Sequence, residues 1–285
     1  MLGSGRHAVQ TIGKAANPLG QYIEPMQKAS IDQEHMSARP RWERWIRQLR
    51  LPSRCLACQA WPTDRLCADC HTLFLKPHAR CIRCALTLPA TGASDVCFTC
   101  QRHPPLWQFA LAAVPYAYPW NQCLAQLKFH QQPGWAQPLA KLIADTVRWP
   151  TLQSAADIVV AVPSSPSRLR ERGYNHAVLL ARHLARGQLL SHALRKIRDT
   201  PVQHGLGLAQ RLSNLRGALV VSPAHAPLVQ GKRVLLIDDV MTSGGTASAC
   251  TAALLAAGAS AVDVAVVARS EPSNELFDTS SPVFT

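Results

Sequence analysis

The chain has 285 residues, 47% of them hydrophobic, enough to bury a full core in one or two domains. Its formal net charge is +13 with a pI near 9.7, which favours polyanionic partners such as nucleic acid, phosphates or acidic surfaces and says nothing about the fold. No apolar run reaches the roughly 18 residues of a membrane helix, and no early apolar stretch leads to a small-residue cleavage site, so the expected location is cytoplasmic, without membrane insertion.

Residues 1–38 mix Gly, Gln, Ser and Pro without a period and read as disordered. The basic stretch "RPRWERWIRQLRLPSR" follows and completes an N-terminal extension over 1–50. In it Trp42, Trp45, Ile46 and Leu49 recur at i, i+3, i+4 and i+7, as on one helix face, with arginines around the rest. Such a helix can dock its tryptophans on the protein, or offer them with the arginines to nucleic acid or a membrane surface.

Residues 51–104 hold eight of the ten cysteines, in four CxxC pairs: Cys55/Cys58, Cys67/Cys70, Cys81/Cys84 and Cys97/Cys100. Each pair can set two thiolates on one knuckle, and two knuckles complete a tetrahedral S₄ site. A secreted disulfide framework rarely repeats CxxC in this way. The reading is a double zinc ribbon with two structural zinc ions, which substitute for a core too small to fold alone and contribute on the order of 10–16 kcal/mol each. Consecutive and alternating pairing of the knuckles are both open. All-thiolate sites leave no position for water, so the metal is not catalytic. Cys123 and Cys250 fall in helical patterns and read as small core residues.

Beyond "HPP" the pattern changes. "FALAAVPYAY" reads as a strand, Asn121–His130 and Pro138–Arg148 as helices, "DIVVAVP" as a short buried run, and His176–Arg186 as a helix. "VLLIDDV" is a second buried run, Thr246–Ala257 a helix that Gly258 can end in a left-handed turn, and "AVDVAVVAR" a third run. Buried strands alternating with helices predict an α/β domain with a parallel sheet over 105–270. Residues 271–285 read as a flexible tail.

In a parallel sheet, ligands bind beyond the carboxyl ends of the strands. Asp238 and Asp239 stand at such an end, directly after "VLLI". Two carboxylates there can accept from ribose hydroxyls or face a divalent ion carried by a diphosphate, and Mg²⁺ is the natural companion. Thr242, Ser243, Gly244, Gly245 and Thr246 then offer hydroxyls, closely approachable amides and a helix N-terminus, which together suit a terminal phosphate.

Residues 234–246 resemble the signature of type I phosphoribosyltransferases, which bind 5-phosphoribosyl-1-diphosphate (PRPP). The resemblance implies that Asp238 and Asp239 contact the ribose 2′ and 3′ hydroxyls and that Thr242–Thr246 cups the 5′-phosphate. A Cys-rich ribbon followed by such a domain is similar to the ComF family of competence-associated proteins. "QLKF" (Gln126–Phe129), "RERGYNHA" (Arg170–Ala177) and "RDTPVQHGLGLAQRLSNLRGAL" (Arg198–Leu219) are further matches. The likeness covers roughly residues 50–270. His176 departs from the family's usual Gln, and Tyr174 from its frequent Phe.

By the same resemblance the diphosphate lies at the loop after "DIVVAVP", where Arg168 and Arg172 are its candidate cations, with Asn175 holding backbone in place. Arg198, Thr200, Gln203, Arg211 and Asn214, with Gly205 and Gly207 between them, form either a closing hood or a plain surface loop. Lys128 serves either its helix dipole or a ligand. Two functions follow. One is a pentosyl transferase in which pyrophosphate leaves C1 of PRPP. The other is a non-catalytic module that grips a nucleotide or single-stranded DNA with the same pocket and the ribbon. DNA uptake, utilisation of imported DNA and partners in the competence machinery belong to the resemblance. Acceptor and oligomeric state are not legible.

Overall fold

The computed structural model describes residues 54–61, 66–89, 94–196 and 219–271. The chain divides between Leu51 and Pro52 into two units, and every described residue belongs to the second. The tryptophan face at 42–49, the Arg198–Asn214 segment and residues 272–285 lie outside the described residues.

The sheet is parallel throughout. Its strands are β1 (Ala110–Pro115), β2 (Ile158–Ala161), β3 (Gln188–Leu190), β6 (Arg233–Met241) and β7 (Ala261–Arg269), in the spatial order β1-β7-β6-β2-β3. A separate antiparallel ribbon pairs β4 (Leu194–Lys196) with β5 (Leu219–Val221). Val234–Ile237 is continuously buried, and β7 is buried at every position. Strands of that kind need cover on both faces. Helices α4 (Ala136–Ala144) and α7 (His176–Leu184) pack on each other and on β1, β2, β6 and β7, while α9 (Gly245–Ala256) packs on β5, β6 and β7. Leu235, Leu236, Ile237, Val264 and Val266 form the middle of the core, with Leu139, Ile143, Leu180 and Leu254 reaching it from the helices.

Several local expectations meet their cause here. Asn175 caps α7 by accepting from the Ala177 and Val178 amides, and its Nδ2 donates to Val162 O at 2.9 Å. Gly258 follows α9 at φ +90°, the left-handed turn expected of it. The helix read over Pro138–Arg148 is instead α4, ending at Ala144, and a new helix α5 (Trp149–Ala155) with Pro150 in its first turn. Thr146 Oγ1 donates to Ile143 O at 2.8 Å, closing α4 with a side chain that competes with helix amides. The loop after β2 enters α6 (Pro166–Arg172), capped by Ser165.

The strand that carries the acids is longer than its apolar run. β6 continues through Asp238 and Asp239 to Met241, still paired with β7 as far as Arg269. Its other neighbour stops earlier: β2 pairs up to Ala161 opposite Ile237, and a last bond joins Val162 N to Ile237 O at 3.0 Å. From Asp238 onward β6 therefore has one flank open.

Two short helices belong to the cysteine-rich part. α1 (Ala68–Phe74) and α2 (Phe98–Arg102) each begin directly after the third cysteine of a cluster, Cys67 and Cys97. Helix α3 (Trp120–Phe129) follows β1, and α8 (Ala226–Val229) precedes β6.

Candidate functional site

The crevice sits at the switch point of the sheet. Chain leaving β2 runs to β3 on one side, chain leaving β6 runs to β7 on the other, and the gap between them is where open parallel sheets bind ligands. Successive residues of a strand face opposite sides, so the two acids part company. Asp239 is buried and meets Lys128 Nζ from the end of α3 at 2.9 Å and His176 Nε2 from the start of α7 at 2.7 Å. Asp238 is half-buried, lies within electrostatic reach of Cys250 on α9, and spends one oxygen on the Asp239 amide at 2.9 Å.

Their titrations diverge accordingly. Burial, then the neighbouring Asp239 charge, pushes the Asp238 carboxyl up to about 7. Burial would also raise Asp239, but the His176 and Lys128 contacts outweigh it and hold that carboxyl well below the usual carboxylate range. One acid is locked as an anion, and the other is poised near neutrality.

After Met241 the loop turns through exposed Thr242 and Ser243 into buried Gly244 and Gly245, and Thr246 is exposed on the first turn of α9. Gly244 has two independent reasons to be glycine. Its φ is +78°, and a Cβ there would come within 3.1 Å of the Trp107 ring. No acidic residue occupies the first turn of α9, so its N-terminal amides and dipole are available to an anion.

The predicted arginines lie on α6. Arg168 is exposed, and the Arg172 guanidinium lies over the exposed Phe129 ring, 5.1 Å from its centroid. Tyr174 OH donates to Leu127 O at 2.7 Å, tying this corner to the end of α3. The pairing of Asp239 with Lys128 and His176 was not legible in the sequence. The three residues come from segments far apart along the chain, and the signals were only a lysine at a helix end and a histidine after a capping Asn.

The eight cysteines form two groups by consecutive pairing: Cys55, Cys58, Cys67 and Cys70, then Cys81, Cys84, Cys97 and Cys100, with sulfurs within 4.8 Å of one another in each. Each group can hold a metal ion. In a tetrahedral site with Zn–S near 2.3 Å the sulfurs stand about 3.8 Å apart, and Cys58–Cys67 at 3.7 Å and Cys84–Cys97 at 3.6 Å match that edge. Burial raises the Cys55 thiol, yet the Cys67, Cys58 and Ala57 amides hold it at about 6, while burial and neighbouring thiols push Cys70 up to about 12. Cys123 and Cys250 stand apart from both groups, buried on α3 and α9.

Residues 128–284 match the phosphoribosyl transferase domain family. The class defined by this sheet and crevice is thus that of the phosphoribosyl transferases. The chain is 32% identical to the DNA utilization protein YhgH of Escherichia coli (strain K12), over 78% of this chain and 99% of that one. It is 28% identical to Competence protein F of Haemophilus influenzae, over 76% and 96%. A solved structure of the allosteric regulatory enzyme of purine biosynthesis overlaps 46% of this chain and 25% of its own, at 25% identity and a TM-score of 0.30. The chain belongs to the ComF family of phosphoribosyl transferase-fold proteins. Among the described residues no helix is long and apolar enough to cross a membrane.

The raised Asp238 carboxyl has a testable cost. The native state keeps this proton longer than the unfolded chain does. Its stabilising contribution is therefore present below the unfolded carboxylate range and is lost as pH rises through about 7. Asp238→Asn is expected to melt about 2–4 °C above wild type at pH 8, the shift that ~1 kcal/mol gives a domain of this size, with the gain shrinking at pH 5. A variant less stable than wild type at pH 8 would refute this placement of the charge.

Proposed function

We propose that the chain binds PRPP in the crevice over β6 and transfers its phosphoribosyl group to an acceptor, as part of the utilisation of imported DNA. One observation carries the reading: the Asp238 carboxylate stands where β2 leaves β6, three residues ahead of an amide-lined turn at the head of α9. Asp238, with one oxygen left after receiving the Asp239 amide, accepts from a ribose hydroxyl. Asp239 faces the sugar from behind, kept charged and oriented by Lys128 and His176, and takes a second hydroxyl when one of them yields. The 5′-phosphate occupies Thr242, Ser243, Gly244, Gly245 and Thr246. Arg168 and Arg172 attract the diphosphate.

Mg²⁺ fits this donor set, because it takes one or two carboxylate oxygens and fills its shell with water and phosphate oxygens. Bound beside Asp238, it would neutralise charge on the diphosphate. The acceptor's lone pair forms the new bond to C1 while the bond from C1 to the diphosphate oxygen breaks, its electron pair leaves with pyrophosphate, and the acceptor's proton passes to solvent. The carboxylates favour the positive charge that develops on the sugar ring, a preorganised electrostatic contribution that needs no protein nucleophile. In purified protein given Mg²⁺ and PRPP, pyrophosphate release with added bases or ammonia is the expected result. Asp238→Ala should weaken PRPP binding at least ~10-fold, as loss of a charged hydrogen-bond partner does. A melting temperature indifferent to saturating Mg–PRPP would sink the proposal.

A second reading is favoured by a different corner. Phe129 is 64% exposed beside Lys128, with the Arg172 guanidinium across its ring, a surface on which a nucleobase can stack. The relatives named for DNA utilization and competence, and the net charge of +13, point the same way. On this reading the pocket takes the 5′-phosphate end of a single strand. Phe129→Ala should then lower single-stranded DNA affinity about 5–150-fold, the loss of ~1–3 kcal/mol of stacking, while leaving a steep salt dependence intact. Unchanged DNA affinity in that variant would remove the stacking surface.

Zinc is the proposed occupant of both thiolate groups. Two zinc ions per chain are expected on metal analysis, and chelation should lower the melting temperature sharply, since half of the thiols are buried and the segment has little other core. Full stability in the chelated, reduced protein would argue against a structural metal.

A further inference from the structure

The two cysteine clusters resemble each other in build and differ in what they touch. In the second cluster, the knuckle Ile82–Cys84 presents three successive carbonyls to the α/β body. Ile82 O accepts from Ala110 N at the start of β1, at 2.8 Å. Arg83 O accepts from the indole Nε1 of Trp107 at 2.5 Å. Cys84 O accepts from Arg269 Nε at the end of β7, at 2.8 Å.

Two of those three donors also shape the loop proposed to bind phosphate. Arg269 is 6% exposed, and its Nη1 donates to Met241 O at 3.0 Å, to Thr242 O and to Ser270 O. One buried guanidinium thus joins a metal-ligating cysteine's carbonyl to the first residue of the loop. Trp107 is 4% exposed, and its ring fills the space where any side chain at Gly244 would lie. Among the described residues the first cluster has no such connection. Its knuckle carbonyls Leu56 O and Ala57 O receive Cys123 Sγ at 3.7 Å and Tyr118 OH at 3.5 Å, both near the start of α3.

We infer that the second cluster acts as a positioning device for the phosphate loop, with Arg269 and Trp107 as the positioning residues, so that metal in Cys81/Cys84/Cys97/Cys100 and a phosphate ester at Thr242–Thr246 favour each other's binding. The inference rests on the proposed role of that loop. A planar guanidinium anchored through Nε on Cys84 O and through Nη1 on Met241 O and Thr242 O ties the loop carbonyls to the knuckle in one orientation. A knuckle that collapses on losing its metal withdraws Cys84 O and Arg83 O, and both donors are then free to move the loop. Such coupling is reciprocal by thermodynamic necessity and falls typically within 5–150-fold. The first cluster is a control within the same molecule.

The test uses the full chain with ribose 5-phosphate and Mg–PRPP as ligands, measured by calorimetry, and zinc loss followed with a chromogenic chelator. The release phases are assigned with Cys58→His and Cys84→His, which keep a ligand while changing lability. Saturating ribose 5-phosphate should slow release from the second cluster at least five-fold and leave the first unchanged. Arg269→Lys, which keeps the charge and loses the fork, should bind both ligands at least five-fold more weakly and release second-cluster zinc faster. Trp107→Phe keeps a ring against Gly244 but loses the donor to Arg83 O, and it should behave alike, more mildly. Release that ignores the ligand, or protection of both clusters equally, overturns the inference. Normal ligand affinity in Arg269→Lys does the same. If wild type binds neither ligand, the proposed function falls and this inference with it, whereas binding without linkage sinks the inference alone.

Discussion

The site depends on one mismatch of length. β6 outruns β2, and the part that outruns it carries the acids. From Val234 to Ile237 the strand is buried between two parallel neighbours and is apolar throughout, which avoids desolvating a polar side chain without a partner. Past Ile237 one neighbour is gone, the backbone has an open flank, and carboxylates become affordable. The same step sends the β2 chain into the loop that leads to α6 and α7, whose residues then border the gap. Strand lengths, not side chains, open the crevice, and the side chains make use of it.

Asp239 shows how the fold manages a charge at that edge. An isolated buried carboxylate would take up a proton instead of staying charged. Lys128 arrives from a helix C-terminus, where a cation already suits the dipole, and His176 arrives from the first turn of α7. Together the two contacts outweigh burial and keep the Asp239 carboxyl ionised. Breaking such a buried set by removing one member is costly, since it leaves the others unpaired. Among the described residues Asp238 has no comparable ion pair, and this is why the two neighbours separate in protonation though they are adjacent in sequence.

Much of this was legible from the chain alone. The runs "DIVVAVP", "VLLIDDV" and "AVDVAVVAR" became β2, β6 and β7 because continuous apolar runs bounded by turns have few other fates. The four CxxC pairs resolved into two groups by consecutive pairing, which spacing left open and the proximity of the sulfurs in space decides. The short strands β3, β4 and β5 escaped notice, because three residues carry no period. Pairing such as Asp239 with Lys128 and His176 escaped for another reason. It is a property of how α3 and α7 pack on the sheet, and local pattern holds no information about it.

The cysteine-rich part shows why its ligands and its core are the same residues. Among the described residues of 54–104, the buried ones are Cys55, Cys70, Cys81, Ala85 and Cys100. Apart from Ala85, every buried position is a thiol of one of the two groups. A segment with so little apolar interior gains almost nothing from collapse, so its shape must come from metal–sulfur bonds or from the surface it lies on. The two groups differ in the second of these. The first leans on α3 through long contacts to Cys123 and Tyr118, and the second is hydrogen-bonded through three consecutive carbonyls to β1, Trp107 and Arg269. Hydrogen bonds of 2.5–2.8 Å transmit displacement, whereas contacts stretched to 3.5–3.7 Å pass on little of it. Of two clusters built alike, the second is therefore the one whose shape and the shape of the loop at Gly244 constrain each other.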